Sequence, residues 1–347
     1  MKILRNILAV LFILAGLGIF LFPTLSGLYA QHLAQQEIDK VQQMVTTVPA
    51  ATTTAATDPA NPTEPTEPTE PVPTEPSEMD LLFESILSYN QKIFEEKQKN
   101  FRDPFSYQNP PLDLREYGFE SNVIGTLWIP RLELELPLYL GATKDNLALG
   151  AAVLGETSLP ASGDNTNVAI AAHRGWRGAP MFRDIQKIQL EDKITITTPW
   201  ETLVYRVFEL EIITPDETDE VLIQPGRNML TLMTCHPYTK NYQRYLVRAE
   251  LSNETPIVDK EADLQEAKDT FSDAPQAVTA PGSNGESTQI LVDPDTLEVS
   301  PEETGMEDSD RLLWLEQVAP IVVVALLILL IILKSASTGR TRKNEFC

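Results

Sequence analysis

Two apolar runs sit near the ends of this chain, and the stretch between them alternates. Residues 3–22 are apolar apart from Arg5 and Asn6; residues 318–333 are apolar apart from a break at Pro320, with Leu312, Leu313 and Trp314 just before. About 20 apolar residues in a helix cross a bilayer, so both runs predict membrane spans. The first is long for a cleaved signal peptide and Leu28-Tyr29-Ala30 is a poor cleavage site, so an uncleaved anchor is expected, with a signal peptide as the alternative. Residues 81–100 read as a helix, with Leu81, Leu82, Ile86, Leu87 and Ile93 at mixed i+4 spacings. After that the period drops to two. Leu132, Leu134, Leu136 and Leu138 alternate with Glu133, Glu135 and Pro137. Further strands are expected at 168–172, 194–198, 203–213, 229–234 and 245–251, with one short helix within 179–190. This predicts one mainly-β domain, closed or barrel-like, preceded by a helix. Its strand-bearing part, about 135 residues, is long enough to bury a core.

Charge sorts the remaining segments. Residues 45–80 hold seven acids and no base, with Thr-Glu-Pro at 63–65, 66–68, 69–71 and 74–76; residues 254–310 hold sixteen acids against two bases. Together they account for −21 of the net charge of −23. Repeated proline makes the first an extended spacer. Low apolar content predicts that the second is unstructured. The acidity belongs to these stalks and argues against nucleic acid as a partner. Lys2 and Arg5 precede the first span, and Lys334, Arg340, Arg342 and Lys343 follow the second. The positive-inside rule then places both termini in the cytoplasm and the middle outside. Cys235 and Cys347 fall on opposite sides and cannot bridge.

The candidate chemistry centres on Thr231-Leu-Met-Thr-Cys235-His-Pro-Tyr, an apolar strand ending on a cysteine. A second apolar strand ends on Ala171-Ala-His173-Arg-Gly175, and Arg244 follows nine residues after Cys235 on the next expected strand. Nucleophile, proton carrier and fixed cation are what acyl transfer through a thiol requires. His32 lies beside the membrane. His236 adjoins Cys235, but neighbouring strand residues face opposite ways, so His173 is preferred. Arg248 is an alternative to Arg244 with a poorer offset. The scattered glutamates lack ligand spacing, so no metal site is expected.

These residues resemble the sortases, cysteine transpeptidases of Gram-positive surfaces. Thr231–Cys235 is similar to their TLxTC strand, Ala172–Gly175 to their histidine motif, and Asn241–Arg248 to their arginine strand. Ile129-Pro130 with Leu136–Tyr139 is similar to their opening strands, and Thr157–Pro160 to a family loop. Asp103-Pro104-Phe105, after a helix and before the barrel, resembles the lid of class C, the pilus-assembling branch; a second span after the domain fits that class too. Thr239 stands where the family usually has glycine, and Val153 where class C often has histidine. The resemblance implies a closed sortase-type β-barrel with a preceding N-terminal helix and lid, flanked by two transmembrane helices. It divides the chain into an anchor (1–30), a Thr/Glu/Pro-rich extracellular linker (31–80), helix and lid (81–116), barrel (117–252), acidic disordered linker (253–311), second span (312–333) and basic cytoplasmic tail (334–347).

As implied, Cys235 attacks the threonine carbonyl of an LPxTG-type sorting signal, His173 moves the proton, and Arg244 holds the oxyanion or the substrate backbone. Thr234 helps position the substrate, Asp103 meets Arg244, and Phe105 covers Cys235. The acceptor is an amine, a pilin lysine or, in the rival reading, peptidoglycan. No cofactor is implied. Residues 301–305 followed by an apolar span and a basic tail look like a sorting signal, but Leu-Pro is missing. A non-catalytic surface stalk is the rival from another class, and the three site residues argue against it.

Overall fold

The computed structural model describes residues 2–47, 76–99, 109–176, 179–254, 256, 258–281 and 287–292. The lid residues Asp103 and Phe105, most of the proline-rich spacer, the second expected span and the tail with Cys347 lie outside them. Of the described residues, those within 32–176 and 180–292 belong to one compact unit and those within 2–31 to another.

Helix α2 (Glu78–Glu96) begins on a capping box in which Ser77 and Asp80 satisfy each other's backbone N–H groups. It buries Leu82, Ile86 and Ile93 of the expected apolar positions, while Leu81 and Leu87 are exposed. Strands β1 (Val123–Ile129), β2 (Leu134–Leu140), β3 (Ala151–Val153), β4 (Thr166–Ala171), β5 (Lys193–Thr197), β6 (Thr202–Ile213), β7 (Asn228–His236) and β8 (Gln243–Leu251) run in the order β6-β5-β1-β2-β3-β4-β7-β8, with α3 (Lys144–Leu149) between β2 and β3. Pairing of β6 with β8 closes the barrel. Along β4 and β7, Val168, Ile170, Leu230 and Leu232 are fully buried. A second apolar cluster covers other residues of these strands: Ala169, Ala171 and Met233 pack with Val123, Tyr139, Val221 and, from β8, Leu246. Both faces of β4 and β7 are therefore covered, which is why their sequences are continuous apolar runs rather than alternating ones.

Four expectations meet a different structure. Residues 31–80 are not all linker: α1 (Lys2–Thr47) continues through the first part, and Ile38 and Val41 are buried, Val41 within the second cluster. Residues 253–311 are not uniformly disordered. They contain α4 (Lys260–Asp269) and a hairpin of β9 (Gln276–Pro281) and β10 (Ser287–Val292), and β9 joins β6 at Glu211↔Thr279. The acids that suggested solvation meet bases of the barrel instead: Asp263 pairs with Lys193 at 2.7 Å, and Glu254 and Glu266 pair with Arg206 at 2.8 and 2.6 Å. Within 179–190 there is only a 3-10 turn, Ile185–Lys187. The first expected membrane span falls within α1, yet among the described residues no helix is long and apolar enough to cross a membrane.

Candidate active site

Strand register assembles the site. In the parallel pair of β4 and β7, Ala169 lies opposite Thr231, Ile170 opposite Leu232 and Ala171 opposite Met233. Two residues further along each chain, the same offset brings His173 level with Cys235. The pairing outlasts the strand: the Ala172 N–H donates to the Met233 carbonyl at 3.3 Å, and the Thr234 hydroxyl to the Ala172 carbonyl at 2.8 Å. On the other side, the antiparallel pair of β7 and β8 sets Cys235 opposite Arg244. Residues in register on adjacent strands share a face. His173, Cys235 and Arg244 thus sit at one level of three neighbouring strands, although 71 residues separate the first from the last.

Each side chain has a distinct setting. Cys235 is half-buried and is not in a disulfide. His173 stacks on Trp176, ring centroids 4.5 Å apart and 15° from parallel, and burial holds its pKa below the ordinary histidine value. The chain turns away behind it at Gly175, whose φ of 88° is in the left-handed region that glycine enters without strain. Arg244 is buried, and one guanidinium nitrogen donates to the carbonyls of Asn241 (3.1 Å) and Gln243 (2.8 Å). This fixes the cation to its own turn and pre-organises it. Thr234 is fully buried. Its hydroxyl holds the segment next to His173.

His236 turns to the interior, as strand alternation requires; it is 1% exposed, and burial together with Arg174 pushes its pKa down to about 3. Arg248, four residues past Arg244, pairs with the buried Glu211 and with the more exposed Glu209 and Glu220, and so belongs to an ion network. Among the described residues no cluster of His, Cys, Asp and Glu could hold a metal ion. Sequence reading passed over Arg174 as part of the histidine motif. The only signal for it was a charged residue at a strand end where alternation points inward.

The chain matches the family model described as Sortase domain over residues 127–252. It is 31% identical to Sortase A of Bacillus anthracis over 172 residues, which is 48% of this chain and 79% of that protein. It is 29% identical to Sortase A of Streptococcus agalactiae serotype III over 37% of this chain and 53% of that one. Among solved structures, Sortase C1 of GBS Pilus Island 1 superposes with a TM-score of 0.51 at 25% identity, covering 66% of this chain and 98% of that one. A strand-borne thiol, histidine and arginine at one level of such a barrel leave one conclusion: the chain belongs to the sortase family of cysteine transpeptidases, and its structural likeness is to the class C members.

Proposed function

We propose that this protein is a membrane-anchored, class C-like sortase that polymerises pilin subunits. The shared level of His173, Cys235 and Arg244 is the observation that carries the reading. The Cys235 thiolate attacks the threonine carbonyl of an LPxTG-like signal. Negative charge develops on the carbonyl oxygen, and the Arg244 guanidinium, which never loses its proton, stabilises it or holds the adjacent backbone. As the Thr–Gly bond breaks, His173 gives its proton to the departing glycine amine. The thioester then meets a pilin lysine. His173 takes the proton from that amine, the isopeptide bond forms and the thiolate is returned. The thioester conserves the acyl group's reactivity, so no co-reactant is needed.

The anchor is the apolar run at residues 3–22, with a second span at 312–333. Basic residues flanking both put the termini in the cytoplasm and the barrel outside. Asp103 and Phe105 form a lid, the first meeting Arg244 and the second covering Cys235. Asp103→Ala with Phe105→Ala is expected to raise maleimide labelling of Cys235; unchanged labelling removes the lid from the scheme.

The test uses the full chain in detergent, with an LPxTG-type fluorescent peptide and a lysine-bearing pilin domain, read by mass spectrometry. A Cys235-linked acyl adduct and an isopeptide product, both lost in Cys235→Ala, are expected. Hydrolysis alone, or transfer only to a peptidoglycan-type amine, would replace the pilin role with surface-protein anchoring. Absence of any adduct, with the lid residues also changed, would overturn the enzymatic reading.

A further inference from the structure

Directly behind Cys235 lies a buried cation that the scheme above does not use. Arg174 follows His173, and alternation turns it into the end of the barrel, where it is 5% exposed. One terminal nitrogen lies 2.6 Å from His236 Nδ1 and donates to the main-chain carbonyl of Cys235 itself at 3.4 Å. The other donates to Gln186 Oε1 at 2.9 Å, and Nε reaches the Arg183 carbonyl at 3.5 Å. The guanidinium sits 6.0 Å from the Tyr245 ring centre. All of these acceptors are neutral. A guanidinium only donates, so His236 Nδ1 must accept and the ring must be neutral with its proton on Nε2. Buried and beside a cation, that ring has no tendency to charge.

A buried positive charge without a carboxylate partner is costly, and proteins keep one where a negative charge appears nearby. Among the described residues, Arg174 has no ion pair; Asp184, the acid that influences it, is engaged by Arg183 at 3.2 Å. Burial lowers the Arg174 pKa to about 10, still far above working pH, opposed in order by Tyr245, Asp184, Cys235 and Tyr238. Among the described residues, the charged and titratable groups around Cys235 include His173 and Arg244 on its own face, Arg174 and neutral His236 behind it, the Tyr238 and Tyr245 hydroxyls, and Asp184 acting on Arg174. Arg174 grips the nucleophile's own main chain through the Cys235 carbonyl.

We propose that Arg174 is a positioning residue for Cys235: clamped by neutral His236 and by Gln186, it fixes the end of β7 and supplies a permanent positive charge that favours the thiolate. The proposal rests on the reading of Cys235 as nucleophile. The thiolate is the reactive form, and a cation beside a cysteine is a recognised way to populate it.

Two substitutions test this in the full chain in detergent. Arg174→Met removes the charge. Gln186→Glu keeps the arginine and gives it a carboxylate partner, cancelling its field on Cys235. This second change also removes the Gln186 Nε2 donor, which is buried without a partner, so it is expected to preserve or raise the melting temperature. The readouts are the pH dependence of Cys235 alkylation by iodoacetamide, kcat and KM for the signal peptide, and melting temperature. Both variants are expected to move the alkylation midpoint up by about one pH unit, a roughly tenfold loss of thiolate below the midpoint. In both, kcat falls and KM changes little. Arg174→Lys, which keeps a point charge, is expected to recover most of the shift. If Gln186→Glu is folded and its midpoint matches wild type, the proposal fails, whether or not Arg174→Met folds. A stability loss in Arg174→Met with an unmoved midpoint overturns it too. Transfer activity surviving in Cys235→Ala would instead overturn the nucleophile assignment, so the two failures are distinguishable.

Discussion

The two faces of β7 and β8 at the level of Cys235 are built from similar residues and do opposite things. The outer face carries Cys235, Arg244 and, from the end of β4, His173. The inner face carries His236, Tyr245 and Arg174. Each face thus has one histidine and one arginine. The outer histidine is half-buried and its pKa is lowered by burial alone; the inner one is closed in beside a guanidinium and stays neutral at any working pH. The outer arginine is tied to carbonyls of its own turn, the inner one to side chains behind the nucleophile. Residue type therefore does not assign a role here. Strand parity does, by choosing which side chain meets substrate and which meets the core.

The sharpest way to break the contrast is to exchange the histidines' fates. His173→Asn is expected to lower kcat/KM by about 10²–10⁴-fold, the usual worth of a general acid–base group, with melting temperature nearly unchanged. His236→Phe leaves a buried Arg174 donor without its acceptor and is expected to cost about 1–3 kcal/mol in denaturant unfolding. A kinetic phenotype confined to His236 would reverse the assignment. The arginines of β8 repeat the contrast within one face. Arg244→Ala is expected to lower kcat by about 10²–10³-fold, as loss of an oxyanion donor does, at little cost in stability. Arg248→Ala abandons the buried Glu211 and is expected to cost about 3–5 kcal/mol of stability.

A smaller effect comes from the same network. Burial, reinforced by Glu220, Glu209 and Glu217 and opposed by Arg248, pushes the Glu211 pKa up from 4.5 to about 7. The folded state then binds this proton more tightly than the unfolded chain does. Glu211 contributes no penalty below pH about 4.5, and stability falls as pH rises from there to about 7. Glu211→Gln is expected to flatten that part of the melting-temperature profile; an unchanged slope would assign it to other groups. The smallest effect concerns the stacked ring over His173. Trp176→Ala should let water reach the imidazole and raise its pKa towards the ordinary value, read by NMR titration. A pKa that stays low would mean that the barrel, not Trp176, desolvates it.

Much of the site was legible because its parts are local. An apolar run ending on Cys235, another ending on His173, and the spacing to Arg244 are visible without any fold. Alternation alone turned His236 away from the site. The second acidic segment shows where composition misleads. Few apolar residues and sixteen acids in 254–310 suggest a solvated chain, yet Val278 and Val292 are buried and Asp263 is almost wholly enclosed against Lys193. Composition counts charges but cannot see that Arg206, Lys193 and Arg131 wait on the barrel surface; Arg131, held by Asp192, also bonds Thr270 at 2.9 Å. The extension of α1 through residues 31–47 was missed for a similar reason. Its buried face is narrow, and Val41 gains its meaning only from the cluster it joins.

The sequence by itself determined which residues carry chemistry and, through a period of two, which of them share a face, because these are properties of a few consecutive residues. Only the tertiary structure decided that β4 lies parallel beside β7 at an offset that makes His173 level with Cys235, and that Arg174 ends beneath the cysteine's carbonyl. Strand order and register are settled by contacts between segments some 60 residues apart, where the gain comes from burying whole faces together. No local pattern encodes that choice.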